Sequence, residues 1–206
     1  MTREPQRIGV FGGAFDPPHN GHVALARCAL QQLGLDQLRI VPTGQAWHKP
    51  RELSSAAHRT AMARLAFAGI ERVCVDERET LRAGPSYTVD TLQELQQENP
   101  NAQLFLLLGQ DQADALPSWH RWQELGRFAI ICVAKRPSAE MPEREIPPEI
   151  TAAPGESPGI RTLMLEPMAV GSTAIRALCA HGGSVASLVP EAVARYISHH
   201  HLYLNP

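Results

Sequence analysis

The chain has 206 residues, 44% hydrophobic and 19% charged, with 19 Lys plus Arg against 21 Asp plus Glu and a formal net charge of −2. It is long enough to bury a substantial core as one domain spanning 1–206. The balanced charge leaves no global basic field for nucleic acid or an anionic membrane, so a phosphate-bearing ligand must be held by local groups. Met1-Thr2-Arg3-Glu4-Pro5 holds no apolar signal region and no run approaches membrane-spanning length, so a cytoplasmic protein is expected. The four cysteines (Cys28, Cys74, Cys132, Cys179) lie far apart without a Cys-x-x-Cys pair. They read as buried thiols rather than as disulfides or a zinc site.

In chain order, short apolar runs predict strands at Arg7–Phe11, Gln37–Val41, Arg72–Val75, Gln103–Leu108 and Phe128–Val133. Helical periodicity predicts His22–Leu33, Ala56–Ala68, Thr88–Gln97, roughly Ser118–Leu125, Ser172–Ala180 and Pro190–His199. Several strands are nearly continuous in apolar residues, as parallel strands covered on both faces must be. The alternation implies an α/β fold: a Rossmann-like parallel sheet with helices on both faces and a small C-terminal helical part at 170–206. Ser138 to Gly159 carries five prolines and many acidic residues. It reads as a flexible insertion, with a lid over substrate as the alternative. Arg161–Glu166 reads as a return strand.

The first strand runs into Gly12-Gly13-Ala14-Phe15-Asp16-Pro17-Pro18-His19-Asn20-Gly21-His22. A strand that breaks at two glycines and re-enters a helix aims backbone N–H groups and the positive helix end at one point, which suits phosphate. His19 and His22, three apart, fall on one side of a helical turn beside that anion site. The spacing is neither Gly-x-Gly-x-x-Gly nor a P-loop. With only Asp16 nearby as a third ligand, a structural metal is not expected. Beyond the strand ends, where open α/β sheets bind ligands, this motif meets Gly109-Gln110-Asp111 from the fourth strand. Near the C-terminus, Gly171-Ser172-Thr173-Ala174-Ile175-Arg176 offers a capping hydroxyl from Ser172 or Thr173 and a guanidinium one turn later. These groups suit the outer phosphates of a nucleoside triphosphate.

Gly-Gly-x-Phe-Asp-Pro-x-His-x-Gly-His resembles the signature of the nucleotidyltransferases with an His-x-Gly-His motif, and its longer form resembles the bacterial nicotinate-nucleotide adenylyltransferases. Further segments are similar to that family in order: Trp47-His48-Lys49-Pro50, Pro85-Ser86-Tyr87-Thr88, Gly109-Gln110-Asp111, Pro117-Ser118-Trp119, Lys135-Arg136-Pro137 and the element at 170–176. The resemblance implies transfer of the adenylyl group of ATP to nicotinate mononucleotide, with Mg²⁺ carried by the ATP phosphates. It implies ATP contacts from Gly12, Gly13, Phe15, His19, His22, Gly109, Asp111, Ser172, Thr173 and Arg176, with His19, His22 and Arg176 catalytic. Acceptor contacts are implied for His48, Lys49, Ser86, Tyr87, Thr88, Trp119 and Arg136. Trp119 would stack on the pyridine ring, and Trp122 is expected in the core. Three positions depart from the pattern: Ala14 replaces a Thr or Ser, Gly171 replaces a serine, and Lys135 stands where arginine is common. His199-His200-His201 resembles the family's tail and is read as structural or solvent-facing. A sister transferase of the phosphopantetheine type and a nucleotide-binding module without turnover are the rival readings. Preference for acid over amide acceptor and assembly into a homo-oligomer stay open.

Overall fold

The computed structural model describes residues 4–44, 53–135, 160–166, 168 and 170–204. Six parallel strands form one sheet in the order β3-β2-β1-β4-β5-β6: β1 Arg7–Gly13, β2 Gln37–Pro42, β3 Val73–Val75, β4 Gln103–Gly109, β5 Ala129–Lys135 and β6 Ile160–Met164. Strand order reverses between β1 and β4, which are direct neighbours with Ile8 opposite Leu104 and Val10 opposite Leu106. Their C-terminal ends therefore open one crevice, the position at which open sheets of this kind receive ligands.

Period-two alternation along the strands divides the core. Phe11, Phe105, Leu107, Cys132 and Ala134 face one cluster, packed by α1 (Asn20–Gln32), α2 (Ala56–Phe67), α6 (Ser172–Ala180) and α7 (Glu191–His199). Ile8, Val10, Leu104, Leu106, Leu108, Ile131 and Val133 face the other, packed chiefly by α4 (Thr88–Glu98) and the turns at 113–125. Helices on both faces are thus observed as expected. Trp122 lies in the second cluster, in the core role assigned to it. All four cysteines are free thiols; Cys132 and Cys179 are buried, and Cys28 and Cys74 are half-buried. Among the described residues no helix is long and apolar enough to cross a membrane.

Several local expectations are corrected. The first strand does not break at its glycines: Gly12 and Gly13 pair with Val41 and Pro42, and the backbone turns only at Phe15, whose φ is +48°. A helix over Ser118–Leu125 does not form. Pro117 and a left-handed Arg121 (φ +51°) split the segment into two 3₁₀ turns, Leu116–Ser118 and Trp122–Arg127. Two short helices, α3 (Arg78–Leu81) and α5 (Gln110–Asp114), were not anticipated; neither is long enough for a period to show. The strand near 161–166 pairs parallel to β5, with Ile131 opposite Ile160. The Ser138–Gly159 insertion lies outside the described residues, as do His48, Lys49 and Arg136.

Candidate active site

The loop from Ala14 to Pro18 carries the backbone from β1 into α1, and it is held from inside. Asp16 is 1% exposed. Its Oδ1 accepts the Tyr203 hydroxyl at 2.7 Å and its Oδ2 accepts the Ser54 backbone N–H at 3.3 Å. Arg59, also buried, donates to the carbonyls of Ala14 (3.1 Å), Gly44 (3.3 Å) and Ser54 (2.9 Å). Phe15 meets Phe11, Phe67 and His22 edge-on, with ring centroids 5.2 to 5.8 Å apart. At 2% exposure its ring is a wall behind His22, so any contact of Phe15 with a nucleotide is made by its backbone.

Helix α1 begins earlier than its periodicity suggests, at Asn20, with His19 as the extended N-cap residue. The two histidines are nevertheless brought together: their rings stack with centroids 3.7 Å apart and planes 25° from parallel. The His19 backbone N–H donates to His22 Nδ1 at 3.1 Å. That acceptor role leaves the His22 ring proton on Nε2. Burial lowers the His19 pKa to about 4, so it is neutral near pH 7. A neutral ring is also what close stacking on a second imidazole favours. His19 Nδ1 is buried and has no hydrogen-bond partner among the described residues.

Helix α6 reaches the same loop from the far end of the chain. Its N-cap is Gly171, so neither Ser172 nor Thr173 caps it. The Ser172 hydroxyl instead donates to the Pro17 carbonyl at 2.9 Å. Arg176 donates to the Asp16 carbonyl at 2.8 Å and to the Thr173 hydroxyl at 3.0 Å. The expected convergence of 12–22 with 172–176 is therefore present, and its hydroxyls serve to join the two segments. Gly12, Gly109 and Gly171 line the strand and helix ends here. At none of them would a Cβ come within 4 Å of atoms of the other described residues, and none has a positive φ. Neither steric crowding nor backbone conformation within the protein demands glycine at these three positions.

On the neighbouring side, Tyr87 is the N-cap of α4, and neither Ser86 nor Thr88 caps it. Ser86 is turned inward, its hydroxyl donating to the Glu79 carbonyl at 3.2 Å. Tyr87 stacks on His120, centroids 4.1 Å apart, beside a half-buried Trp119 packed on the second core cluster. Asp111 lies in the first turn of α5, directly beyond Gly109.

Three residues that hold the site were not found from the sequence. Tyr203 and Glu79 carry no local signal. Glu79 is buried, accepts the Thr91 hydroxyl at 2.8 Å and the Gly44 N–H, and burial raises its carboxyl pKa. Arg59 does carry a signal: with Met62, Ala63 and Ala66 it falls on one helical stripe, which places a cation on a buried face. A cavity of about 220 Å³ beside β3, lined by Arg64, Phe67, Ile70 and Cys74 among others, shares with this site only Phe67, which packs on Phe15.

Among known proteins, the profile of the cytidylyltransferase-like family matches residues 10–178. A protein of Albidiferax ferrireducens named "Probable nicotinate-nucleotide adenylyltransferase" is 56% identical over 96% of this chain and 98% of its own length. One of the same name from Pseudomonas aeruginosa is 43% identical over 98% of this chain and 99% of its own. In fold, the chain resembles the nicotinic acid mononucleotide adenylyltransferase of Plasmodium falciparum complexed with APC, with a TM-score of 0.78 at 16% identity over 96% of this chain and 97% of that one. The same parasite protein complexed with NaAD matches with a TM-score of 0.76 at 17% identity. The buried loop after β1, its stacked histidine pair and the relatives agree, and the chain belongs to the nicotinate-nucleotide adenylyltransferases of the cytidylyltransferase-like family.

Proposed function

We infer that this chain transfers the adenylyl group of ATP to nicotinate mononucleotide, releasing pyrophosphate and forming nicotinate adenine dinucleotide, the adenylyl step of NAD synthesis. The observation that carries the reading on the structural side is the joining of the His19/His22 pair and α6 at one loop, beside the reversal of strand order. The acceptor's phosphate oxygen attacks the α-phosphorus of ATP in line, and the bond from that phosphorus to the β-bridging oxygen breaks. Two polyanions must be brought together, so catalysis rests on positioning and on charge stabilisation.

In this reading His22 Nε2–H donates to the phosphate chain, and neutral His19 backs it at the helix N-terminus, where the dipole favours negative charge. Arg176, anchored by the Asp16 carbonyl and Thr173, brings positive charge to the β/γ end, with Ser172 and Thr173 beside it. Backbone at Gly12, Gly13, Gly109 and Gly171 lets the nucleotide approach closely, which accounts for Gly12, Gly109 and Gly171, while Gly13 is also kept small by the Phe15 ring, 3.1 Å from where its Cβ would stand. Asp111 adds an acceptor beyond β4. ATP enters as its Mg²⁺ complex, and among the described residues no cluster of carboxylates, histidines or cysteines could hold an ion by itself.

The acceptor's ring stacks on Trp119, with backbone around Ser86, Tyr87 and Thr88 facing its carboxylate. His48, Lys49 and Arg136, outside the described residues, are assigned to its phosphate on the family motif alone. The whole chain acts as one nucleotidyltransferase domain in the cytoplasm, where its free thiols persist.

The test is pyrophosphate release from ATP and Mg²⁺ with nicotinate mononucleotide, nicotinamide mononucleotide or phosphopantetheine as acceptor. Release with the nicotinate acceptor well above the other two is expected. Turnover with phosphopantetheine alone, or ATP binding without any turnover, overturns the assignment.

A further inference from the structure

Asp16 is nearly sealed from solvent and lies three residues before His19, yet its carboxylate is turned toward the C-terminal segment. The contact at Oδ1 comes from Tyr203, 187 positions away. The backbone that delivers this phenol is unusual. After α7 ends at His199, His201 and Tyr203 both adopt left-handed φ values, +49° and +65°. Non-glycine residues in that region are strained, and such strain persists where surrounding contacts over-determine it, often next to functional sites. Here it aims one hydroxyl at one carboxylate. The same hydroxyl lies 3.9 Å from the Met62 sulfur of α2, and the ring packs on the core cluster to which Met62 belongs. Burial and the Asp16 charge push the phenol's pKa far up, so it stays a donor across the working pH range.

Two ties from the C-terminal part of the chain therefore meet on a single residue, whose Oδ2 also accepts the Ser54 N–H. Arg176 holds the Asp16 carbonyl from α6, and Tyr203 holds its side chain from beyond α7. With both in place, the peptide units between Asp16 and the His19 cap are constrained at their upstream end. We propose that Tyr203 is a positioning residue for the adenylyl transfer: through the Asp16 carboxylate it fixes the loop that presents His19 and His22. It touches no reacting atom. The proposal rests on the adenylyl-transfer reading above.

The experiment compares wild type, Tyr203→Phe, Asp16→Asn and the double variant by steady-state kinetics at 25 °C and by thermal unfolding. Tyr196→Phe is the control: it removes a different hydroxyl contact, to His58 Nδ1 at 3.0 Å, that bridges α7 to α2 without touching Asp16. Tyr203→Phe keeps the ring on the core cluster and loses the hydroxyl, with its contacts to Asp16, the Met62 sulfur and Ser54. It is expected to lower kcat about ten- to a hundredfold, the scale of a slightly misplaced catalytic loop. KM for nicotinate mononucleotide should stay within about twofold, because the contacts proposed for that substrate lie on other segments. Tyr196→Phe should lose comparable thermal stability with kcat unchanged. The double variant should cost no more kcat than the worse single one, since both act on one link.

A Tyr203→Phe protein that melts early but keeps its kcat within about twofold reduces the contact to stability alone and overturns the proposal. Should Tyr203→Phe not fold, Asp16→Asn reads the same link from the other end, and an unchanged kcat there overturns it equally. A wild-type protein that releases no pyrophosphate refutes the adenylyl-transfer reading itself, which these variants leave untouched.

Discussion

The two sides of the crevice are built differently. The phosphate side is a long-range knot: Pro17 is bonded to Ser172, and Asp16 to Arg176 and Tyr203, across separations of 155, 160 and 187 positions. The acceptor side is assembled nearer in sequence, with Glu79 joined to Ser86 and Thr91 across 7 and 12 positions and Tyr87 stacked on His120. Groups that must hold a transition state are fixed by several distant elements at once, so their geometry is over-determined. Groups proposed to select the acceptor hang on a more local stretch, joined to the first chiefly through Gly44, whose carbonyl accepts from Arg59 and whose N–H reaches Glu79. The groups proposed for chemistry and those proposed for specificity therefore sit on largely separate supports.

The largest expected effect tests that separation directly. His22→Ala removes a donor aimed at the developing charge and should lower kcat/KM by about 10² to 10³, with KM for nicotinate mononucleotide within about threefold. An equal rise in the acceptor's KM would show that the two sides are one unit.

Next come two buried titratable groups, His19 and Glu79, which respond to pH with opposite sign. His19 titrates near 4 when folded against 6.5 when unfolded, so between those values the unfolded chain binds the extra proton. Its contribution is fully present above pH 6.5 and is lost as pH falls toward 4, amounting to on the order of 3 kcal/mol. His19→Asn, with a residue well suited to an N-cap, should flatten that acid limb in urea titrations at pH 4.5 and 7. Glu79 is raised instead, so the folded state holds its proton longer and its contribution falls as pH rises above 4.5. Glu79→Gln should remove that decline. If both variants change the same limb, the assignment of these groups to the two sides is wrong.

Trp119→Ala sharpens the comparison from the acceptor side. It should raise KM for the mononucleotide about tenfold, the scale of a lost aromatic stack plus its burial, while KM for ATP moves by no more than about twofold. The smallest effect belongs to Gly171→Ser. A Cβ there meets no atom of the other described residues within 4 Å and φ is −152°, so serine fits without strain and supplies the missing helix cap. A gain of a few tenths of a kcal/mol and a rise in Tm of about 1 °C are expected by calorimetry, along with any change in KM for ATP that the family's serine would bring.

What the sequence made legible follows the same division. Strand and helix periods survive in single segments, so the sheet, its parallel sense and its two covered faces could be read ahead of the structure. The motif around His19 and His22 could be read because its residues are contiguous. The stacking of those two rings came from a cap rather than from a shared helical turn, a distinction that side-chain spacing alone does not make. Ser172 was legible as part of the site but not as a bridge to Pro17. Tyr203 and Glu79 were illegible, because a phenol in a polar tail and a glutamate in a four-residue helix acquire meaning only through residues that the fold brings beside them. Arg59 was within reach, since its place on an apolar stripe marks it as buried.

The order of the phosphate knot along the chain has a consequence for synthesis. The segment bearing His19 leaves the ribosome long before Ser172, Arg176 and Tyr203, which hold its loop from 155 to 187 positions further on. At typical elongation rates the interval is roughly 10 to 40 s. Through that time β1, β2 and β4 can pair and collapse, but the nascent protein holds no finished grip on a nucleotide. Competence for the proposed chemistry waits on that closure, so a chain stopped before Ser172 would be folded in part yet chemically inert.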